Sequence, residues 1–278
     1  MEYKRVLTIQ DISCVGQCSL TVALPILSAC GLEACVLPSA VLSSHTAFPG
    51  ATFRDLTEDM PKIAAHWKAA DIRFDAVCSG YLGSTKQMEY VADIFETLGK
   101  DGCVRIVDPA MADHGKLYRG FEQPFVEAMK AFCAKADYLM PNVTEACLLT
   151  DTPYREVVDK AFLEEVLRKL LALGPKCVIL TGAAVEPHMT GVAVAEGDCI
   201  QFYSHEKMAE SRYGTGDLFA AVFTGALMRG KTSMEAARMA GDFVAECIRK
   251  TLENPGHWYG TAFELALPKL IQVINNGS

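Results

Sequence analysis

Short apolar runs alternate with longer segments of helical spacing along most of the chain. The short runs predict strands at residues 6–10, 34–38, 75–80, 103–107, 138–140 and 177–181. The longer segments predict helices at residues 19–30, 57–69, 86–98, 121–134, 144–149, 156–173, 216–228, 233–253 and 262–273. Strands that alternate with helices predict a three-layer α/β/α fold, in which helices cover both faces of a mainly parallel sheet.

Two features depart from this simple alternation. Residues 190–195 and 199–204 are joined by Glu196-Gly197-Asp198, which predicts an antiparallel hairpin. Pro25 interrupts the first predicted helix, where we expect a bend or a restarted turn. No repeat, low-complexity tract or linker divides the sequence, so we expect one domain over residues 1–278.

Polar residues follow each of the apolar runs. They are Asp11 and Ser13, His45 and Thr46, Gly80 and Tyr81, Asp108, Asn142 and Glu145, and Thr181 with Gly182. Ligands of open α/β sheets bind beyond the carboxyl ends of the strands. We therefore expect these residues to surround a functional site.

Composition narrows the possible partners. The net charge of −8 argues against nucleic acid as the main partner. No apolar run approaches the roughly 18 residues of a membrane span, and the first residues lead into a predicted strand rather than a signal peptide. The 11 cysteines are scattered without a Cys-x-x-Cys pair, which is typical of free thiols in a reducing compartment. We expect a cytoplasmic protein with no membrane partner.

The segment from Arg212 to Asp217, Arg-Tyr-Gly-Thr-Gly-Asp, leads into the apolar helix predicted at 216–228. Backbone N–H groups at Gly214 and Gly216 are open to a close ligand, and a helix start attracts anions. A carboxylate at Asp217 would repel an anion unless it takes a proton from a hydroxyl that attacks a phosphoryl group. The alternative is that Asp217 only complements the helix dipole.

Familiar nucleotide and hydrolase motifs do not occur in the context that they require. The pattern Gly-x-x-x-x-Gly-Lys-[Ser/Thr] occurs at residues 225–232, but it lies at the end of a predicted helix, whereas a P-loop joins a strand to a helix. There is no Gly-x-Gly-x-x-Gly after the first predicted strand and no Gly-x-Ser-x-Gly elbow. An anion-binding turn with an aspartate but without a P-loop leaves few classes of phosphoryl-transfer enzyme.

Several motifs, in chain order, carry a resemblance to a known family. They are Gln10, Val15-Gly16, Ser43-Ser44-His45-Thr46, Ser79-Gly80-Tyr81-Leu82-Gly83, Asp108-Pro109 with Asp113 and Tyr118, Pro141-Asn142-x-x-Glu145, and Gly214-Thr215-Gly216-Asp217-Leu218-Phe219. Over essentially the whole chain, the sequence resembles the ribokinase-like superfamily and, within it, the pyridoxal (pyridoxine, pyridoxamine) kinases. Hydroxymethylpyrimidine kinases share the fold and the Gly-x-Gly-Asp turn.

The resemblance implies roles for the residues near the alcohol substrate. Asp217 would be the general base for the 5′-hydroxyl group of a vitamin B6 compound, and the N–H groups of Gly214, Thr215 and Gly216 would hold the transferring phosphoryl charge. The residues implied to line the substrate side are Thr46, Tyr81 and His45, the last as a brace of its loop. A loop hydroxyl at Thr46 and a half-buried aromatic at Tyr81 are the structural alternatives.

One departure from the family pattern concerns the same side of the site. Many members carry serine directly after the glutamine that ends the first strand, where it contacts the substrate; this chain has Asp11 there. Either Asp11 itself or Ser13, two residues later, would make that contact.

On the nucleotide side, the resemblance implies ATP and Mg²⁺ as cofactors, with a monovalent cation (K⁺ or Na⁺) left open. The residues implied to contact the nucleotide are Asp108, Asp113, Tyr118, Asn142, Glu145, Thr181 and Gly182. Asp108 and Glu145 would hold the metal ion, since hard oxygen ligands suit Mg²⁺. The spacing of Asn142 and Glu145 also predicts a helix capping box, and Asp113 has an exposed-loop alternative.

The resemblance further implies a homodimer. Our main hypothesis is an ATP-dependent pyridoxal kinase. A hydroxymethylpyrimidine kinase and a non-catalytic vitamin B6 binding protein are the alternatives, and the cysteine count alone suggests a thiol-based redox protein.

Overall fold

The centre of the molecule is a nine-stranded sheet in the computed structural model, which describes residues 3–186, 188–208, 213–254 and 256–275. The strands are β1 Arg5–Ser13, β2 Glu33–Leu42, β3 Phe53–Asp55, β4 Phe74–Ser79, β5 Gly99–Val107, β6 Ala112–Asp113, β7 Lys116–Leu117, β8 Tyr138–Leu139, β9 Cys177–Thr181, β10 Met189–Glu196 and β11 Cys199–Glu206. Strands β6 and β7 form a separate two-stranded hairpin.

The main sheet has the order β11-β10-β9-β8-β5-β4-β1-β2-β3. The six strands from β9 to β2 in this order pair in parallel, and antiparallel neighbours flank them at both edges. This confirms the mainly parallel sheet, and the pairing of β10 with β11 confirms the predicted hairpin. After β1, the chain extends the sheet toward one edge with β2. It then extends the sheet toward the other edge with β4, β5, β8 and β9. The point of reversal lies between β1 and β4, where open sheets bind their ligands.

Helices cover the sheet on both faces. They are α1 Leu20–Ala29, α2 Met60–Ala69, α3 Thr85–Thr97, α4 Gln123–Cys133, α5 Val143–Leu149, α6 Lys160–Leu171, α7 Thr215–Met228, α8 Ser233–Leu252 and α9 Leu267–Asn275, with a 3₁₀ turn at Phe263–Leu265. Helix α1 runs through Pro25 without interruption, so the expected restarted turn is wrong. The neighbouring Leu24 is exposed, so water can reach the side of the helix that proline deprives of an N–H donor.

Alternation along the strands divides the core between the two faces. In β1, Val6 packs with α1, α7 and α8, whereas Leu7 packs with α2 to α6 on the opposite face. Consecutive residues of β9 alternate in the same way. Because successive side chains of a strand point to opposite faces, each short apolar run serves both cores. The three-layer α/β/α arrangement follows directly.

Two further findings concern the described part of the chain. No helix there combines the length and the apolar character that crossing a bilayer requires. All 11 cysteines fall within the described ranges, and none of them is in a disulfide bond.

Candidate active site

A tight turn before α7 forms the floor of the site. Gly214 occupies the N-cap position with φ 77° and ψ 4°, a left-handed conformation that favours glycine. Helix α7 is apolar nearly all round and is held between α1 and α8, so its start has a fixed place. Space around Gly216 is open, which leaves the N–H groups of the first turn accessible. Arg212 lies outside the described residues.

The same turn packs tightly against the loop between β1 and α1. A Cβ atom at Gly214 would overlap the carbonyl oxygen of Gln17 and approach Cys18. On the other side of this loop, His257 lies with Nε2 3.0 Å from Oε1 of Gln17. The loop that follows the first strand therefore fixes the position of the anion turn.

Asp217 lies in the first turn of α7, as predicted from the sequence. Its surroundings raise the pKa of its carboxyl group from 3.8 to about 7, mainly through burial, with the charge of Asp11 as a smaller cause. The backbone N–H of Ser19 acts in the opposite direction by favouring the carboxylate. Asp217 can therefore accept a proton near neutral pH, as a general base must.

A small cavity of about 20 Å³ lies beside Asp217, between the ends of β1 and β4 and the side of α7. Among the described residues, the buried hydroxyl groups of Ser79 and Thr224, which line it, have no hydrogen-bond partner in the protein. A cavity of this size has room for about one water molecule.

Asp11 is buried, at 6% exposure, and its carboxylate is engaged by the protein. Ser19 Oγ donates to Oδ1 at 2.6 Å, and Ser13 Oγ lies 3.4 Å from Oδ2. Burial raises the pKa of Asp11. Ser13, the other predicted substrate contact, is 1% exposed. The charge of Asp11 raises the pKa of Asp217, and the side-chain hydrogen bonds of Asp11 are with serine hydroxyl groups.

The predicted substrate-side residues come from two loops. His45 packs against Tyr213 with ring centroids 4.6 Å apart, and its Nδ1 accepts a hydrogen bond from Ala47 N–H, in keeping with a bracing role. Burial lowers the pKa of His45. Tyr81 stacks on Phe121 at 5.8 Å.

The pKa of Tyr81 is affected by acidic residues near the site. Burial raises the pKa of its phenol, and the charges of Asp11 and Asp55 add to this shift. Thr46 is exposed in the loop that carries His45.

Two other acidic residues act on Asp108, which follows β5 at its carboxyl end. Burial, followed by the charges of Glu145 and Asp217, raises the pKa of Asp108 well above its usual range. Burial also raises the pKa of Glu145, against three backbone N–H groups that favour its charged form. Such a group of buried like charges is typical of a site that receives a cation.

Asn142 and Glu145 cap α5 and also hold the neighbouring β6–β7 hairpin. The predicted capping box is confirmed, since each side chain bonds the backbone of the other residue. Glu145 Oε1 also accepts from the N–H of Met111 at 3.0 Å and that of Ala112 at 3.4 Å. Asn142 Nδ2 donates to the carbonyl of Ala112 at 2.8 Å. The pair therefore links the helix to the hairpin.

The hairpin carries the next two predicted nucleotide contacts. Asp113 is exposed, and its Oδ1 accepts the N–H of His114. Tyr118 is 40% exposed, and burial together with the charges of Glu145 and Asp108 raises the pKa of its phenol. Thr181 and Gly182 lie at the end of β9, where Thr181 bridges to Asn142.

The donor set suits a magnesium ion at Asp108 better than at Glu145. No described side chain or N–H donates to the carboxylate of Asp108, so its hard oxygen atoms remain available to a cation. Both oxygens of Glu145 already accept backbone N–H groups. Within the described ranges, no cluster of three or more His, Cys, Asp or Glu residues could hold a metal ion by itself. An Mg²⁺ ion here would take further ligands from phosphates and water.

Ser19 is the residue of the site that the sequence did not single out. Ser19 Oγ donates to Asp11 and the Ser19 backbone N–H lowers the pKa of Asp217, although in the sequence Ser19 is simply the residue that precedes α1. Serine at a helix start is common, so the sequence offered no signal beyond a cap.

Comparisons with known proteins show the family to which the chain belongs. The sequence model of the phosphomethylpyrimidine kinase family matches residues 27–262. The pyridoxine/pyridoxal/pyridoxamine kinase of Bordetella bronchiseptica is 30% identical over 261 residues, 89% of each chain. Pyridoxal kinase from Lactobacillus plantarum superposes with a TM-score of 0.91 at 30% identity, over 98% of both chains.

A further solved structure comes from Bacteroides thetaiotaomicron. This candidate phosphomethylpyrimidine kinase, crystallised with pyridoxal, has a TM-score of 0.91 and 38% identity, and the match covers 97% of the present chain and 96% of the other. By sequence and by fold, the chain belongs to the phosphomethylpyrimidine kinase family, a group of ribokinase-like kinases that includes the pyridoxal kinases.

Proposed function

We propose that this kinase transfers the γ-phosphoryl group of ATP to the 5′-hydroxymethyl group of pyridoxal, pyridoxine or pyridoxamine. The observation that carries the proposal is Asp217, a carboxylate with a pKa of about 7, in the first turn of a helix whose N–H groups are open. A primary alcohol is a poor nucleophile, and a carboxylate that titrates near neutral pH can take its proton as the bond to phosphorus forms.

Each part of the site then has a role. The N–H groups of Gly214, Thr215 and Gly216 hold the charge of the transferring phosphoryl group, which is the main catalytic task in such reactions. Asp108 holds Mg²⁺, which when bound neutralises charge on the ATP phosphates.

The remaining predicted contacts divide between the two substrates. Tyr81 offers an aromatic face and Thr46 a hydroxyl group to the substituted pyridine ring. Asp113 and Tyr118, on the hairpin held by Glu145, cover the phosphates, and Thr181 with Gly182 borders the adenosine side.

Vitamin B6 compounds are the preferred substrates in this proposal for two reasons. The Bordetella relative, at 30% identity, is named for all three vitamers, and the Bacteroides structure was crystallised with pyridoxal. The family description favours hydroxymethylpyrimidine as the second candidate substrate. We further propose a cytoplasmic homodimer, as the resemblance to pyridoxal kinases implies.

The test is an assay of ADP release with pyridoxal, pyridoxine, pyridoxamine and hydroxymethylpyrimidine, each alone with ATP and Mg²⁺. We expect turnover of at least one B6 vitamer with a kcat/KM about tenfold or more above that of the pyrimidine alcohol, a difference of about 1.4 kcal/mol. A higher kcat/KM for the pyrimidine would refute the vitamin B6 assignment. No ADP release with any alcohol would support a binding protein.

A further inference from the structure

Ser19 holds a backbone conformation that residues other than glycine rarely adopt. Its φ is 50° and its ψ is −130°, directly before the first residue of α1. Such a conformation persists only where the surrounding structure maintains it, and it is often found at functional sites. Ser19 is also buried, at 6% exposure, so protein rather than water surrounds it.

The hydroxyl group of Ser19 does not cap its helix. A serine at this position usually accepts a hydrogen bond from an N–H of the first turn. Here there is no such bond, and Ser19 Oγ instead donates to Oδ1 of Asp11 at 2.6 Å. A hydrogen bond of this length to a carboxylate, in a buried setting, is a strong one.

The backbone N–H of Ser19 also acts on the pKa of the other carboxyl group of the site. It favours the charged form of Asp217, while Asp11 lies close enough for its charge to oppose that form. Two residues earlier, the carbonyl of Gln17 packs against Gly214 at the start of the anion turn. A single strained residue therefore bonds Asp11 through its side chain and ends the loop that packs against the start of the helix carrying Asp217.

We propose that Asp11 and Ser19 are positioning residues, which hold the carboxylate of Asp217 against the anion turn, and that Asp11 does not contact the alcohol. The inference rests on the proposed function, since it takes Asp217 as the general base. Asp11 anchors the hydroxyl of Ser19, and the anchored residue keeps its unusual backbone. The loop that ends at Ser19 thereby stays packed against Gly214, at the start of the helix that carries Asp217. A base must lie within hydrogen-bond reach of the proton it removes, and a displacement of about 1 Å can cost about 10²-fold in rate.

Four variants separate this role from the alternatives. Asp11→Ala and Ser19→Ala should lower kcat by about 10- to 100-fold and leave the KM values for the alcohol and for ATP within about threefold of wild type. Asp11→Asn should keep most of the activity, because an amide oxygen accepts the same hydrogen bond. Ser19→Gly should lose kcat as Ser19→Ala does, although glycine adopts this backbone without strain.

Three kinetic outcomes would overturn the proposal. A raised KM for the alcohol with unchanged kcat in Asp11→Ala would make Asp11 a substrate contact. Wild-type kcat in Ser19→Gly would mean that only the backbone conformation matters and not the hydroxyl anchor. Equal losses in Asp11→Asn and Asp11→Ala would exclude the hydrogen bond as the cause.

A crystallographic comparison tests the positioning without any substrate. In Asp11→Ala, we expect the carboxylate of Asp217 to move from its wild-type place or to occupy more than one rotamer, and an unchanged carboxylate would overturn the proposal. Thermal unfolding of each variant confirms that it is folded before its kinetics are interpreted. If wild type phosphorylates none of the alcohols, the proposed function fails, while the position of Asp217 in the two crystals still decides the present inference.

Discussion

Replacing Asp217 with asparagine should remove activity and, at alkaline pH, stabilise the fold. The carboxyl group has a pKa of about 7 in the folded chain instead of its ordinary 3.8, mainly because it is buried. Asparagine has nearly the same shape but carries no charge at any pH. Loss of the general base should lower kcat by about 10²- to 10⁴-fold.

The effect on stability follows from the same pKa. A change from 3.8 to about 7 corresponds to about 4 kcal/mol, at 1.36 kcal/mol for each pH unit. Asp217 as a whole residue is partly exposed, which weakens the effect of burial, so we expect about 2–4 kcal/mol. Below about pH 4 the group is protonated in both states and costs nothing. Between about pH 4 and 7 the unfolded chain ionises while the folded chain keeps its proton, so wild type loses stability as the pH rises.

Urea unfolding of both proteins, without nucleotide, measures this difference. The free energies of unfolding should be similar near pH 4, and near pH 8 Asp217→Asn should be more stable by about 2–4 kcal/mol. In wild type, kcat/KM should rise with pH and level off above about 7, since it reports the ionisation of the free enzyme. A stability difference that does not change with pH would refute the assignment of a raised pKa to Asp217. Wild-type kcat in the variant would refute its role as the base.

The remaining predictions concern the backbone around the site. Gly214→Ala should cost at least about 2 kcal/mol more than Gly230→Ala, because both glycines have φ near 80–90° but only Gly214 lacks room for a Cβ atom beside Gln17. Urea unfolding of the two variants measures the difference, and equal losses would show that the close approach is not limiting. Glu145→Ala should cost about 2–3 kcal/mol, because three backbone N–H groups lose their acceptor, whereas Glu235→Ala, in the exposed capping box of α8, should cost about 0.5–1 kcal/mol. Thermal unfolding compares this pair, and a Glu145→Ala loss no larger than that of Glu235→Ala would contradict the buried link to the hairpin.

Periodicity in the sequence was sufficient to predict the parallel strands of the sheet and most of the helices. Each parallel strand is a short apolar run that is buried on both faces of the sheet. Such a run can be recognised from the local sequence alone. The strands at Phe53–Asp55, Ala112–Asp113 and Lys116–Leu117 were not predicted, because two or three residues leave no detectable period. Their pairing depends on neighbours that the local sequence does not contain.

The roles of the residues in the candidate site also divide into those that the sequence predicted and those that it did not. The capping box of Asn142 and Glu145 follows from a spacing of three residues and is confirmed. Its second role, holding the hairpin, depends on contacts more than 25 residues away along the chain and was not predictable. The proposed role of Ser19 was even less predictable from the sequence. It depends on a backbone angle and on a hydrogen bond to Asp11, and a local sequence pattern contains neither. The assignments of Asp217, Tyr81 and the nucleotide contacts remain predictions for the assays above.

The contact between Gly214 and Gln17 has a consequence for any redesign of this protein. The half of the pocket that would recognise the ring, with Thr46 exposed on its loop, offers freedom to introduce new side chains. The half that would activate the alcohol offers none at Gly214, because one added methyl group there would already collide with the neighbouring main chain. Libraries aimed at new acceptors should therefore vary the first region and leave the second untouched, so that selectivity evolves without disturbing the chemistry.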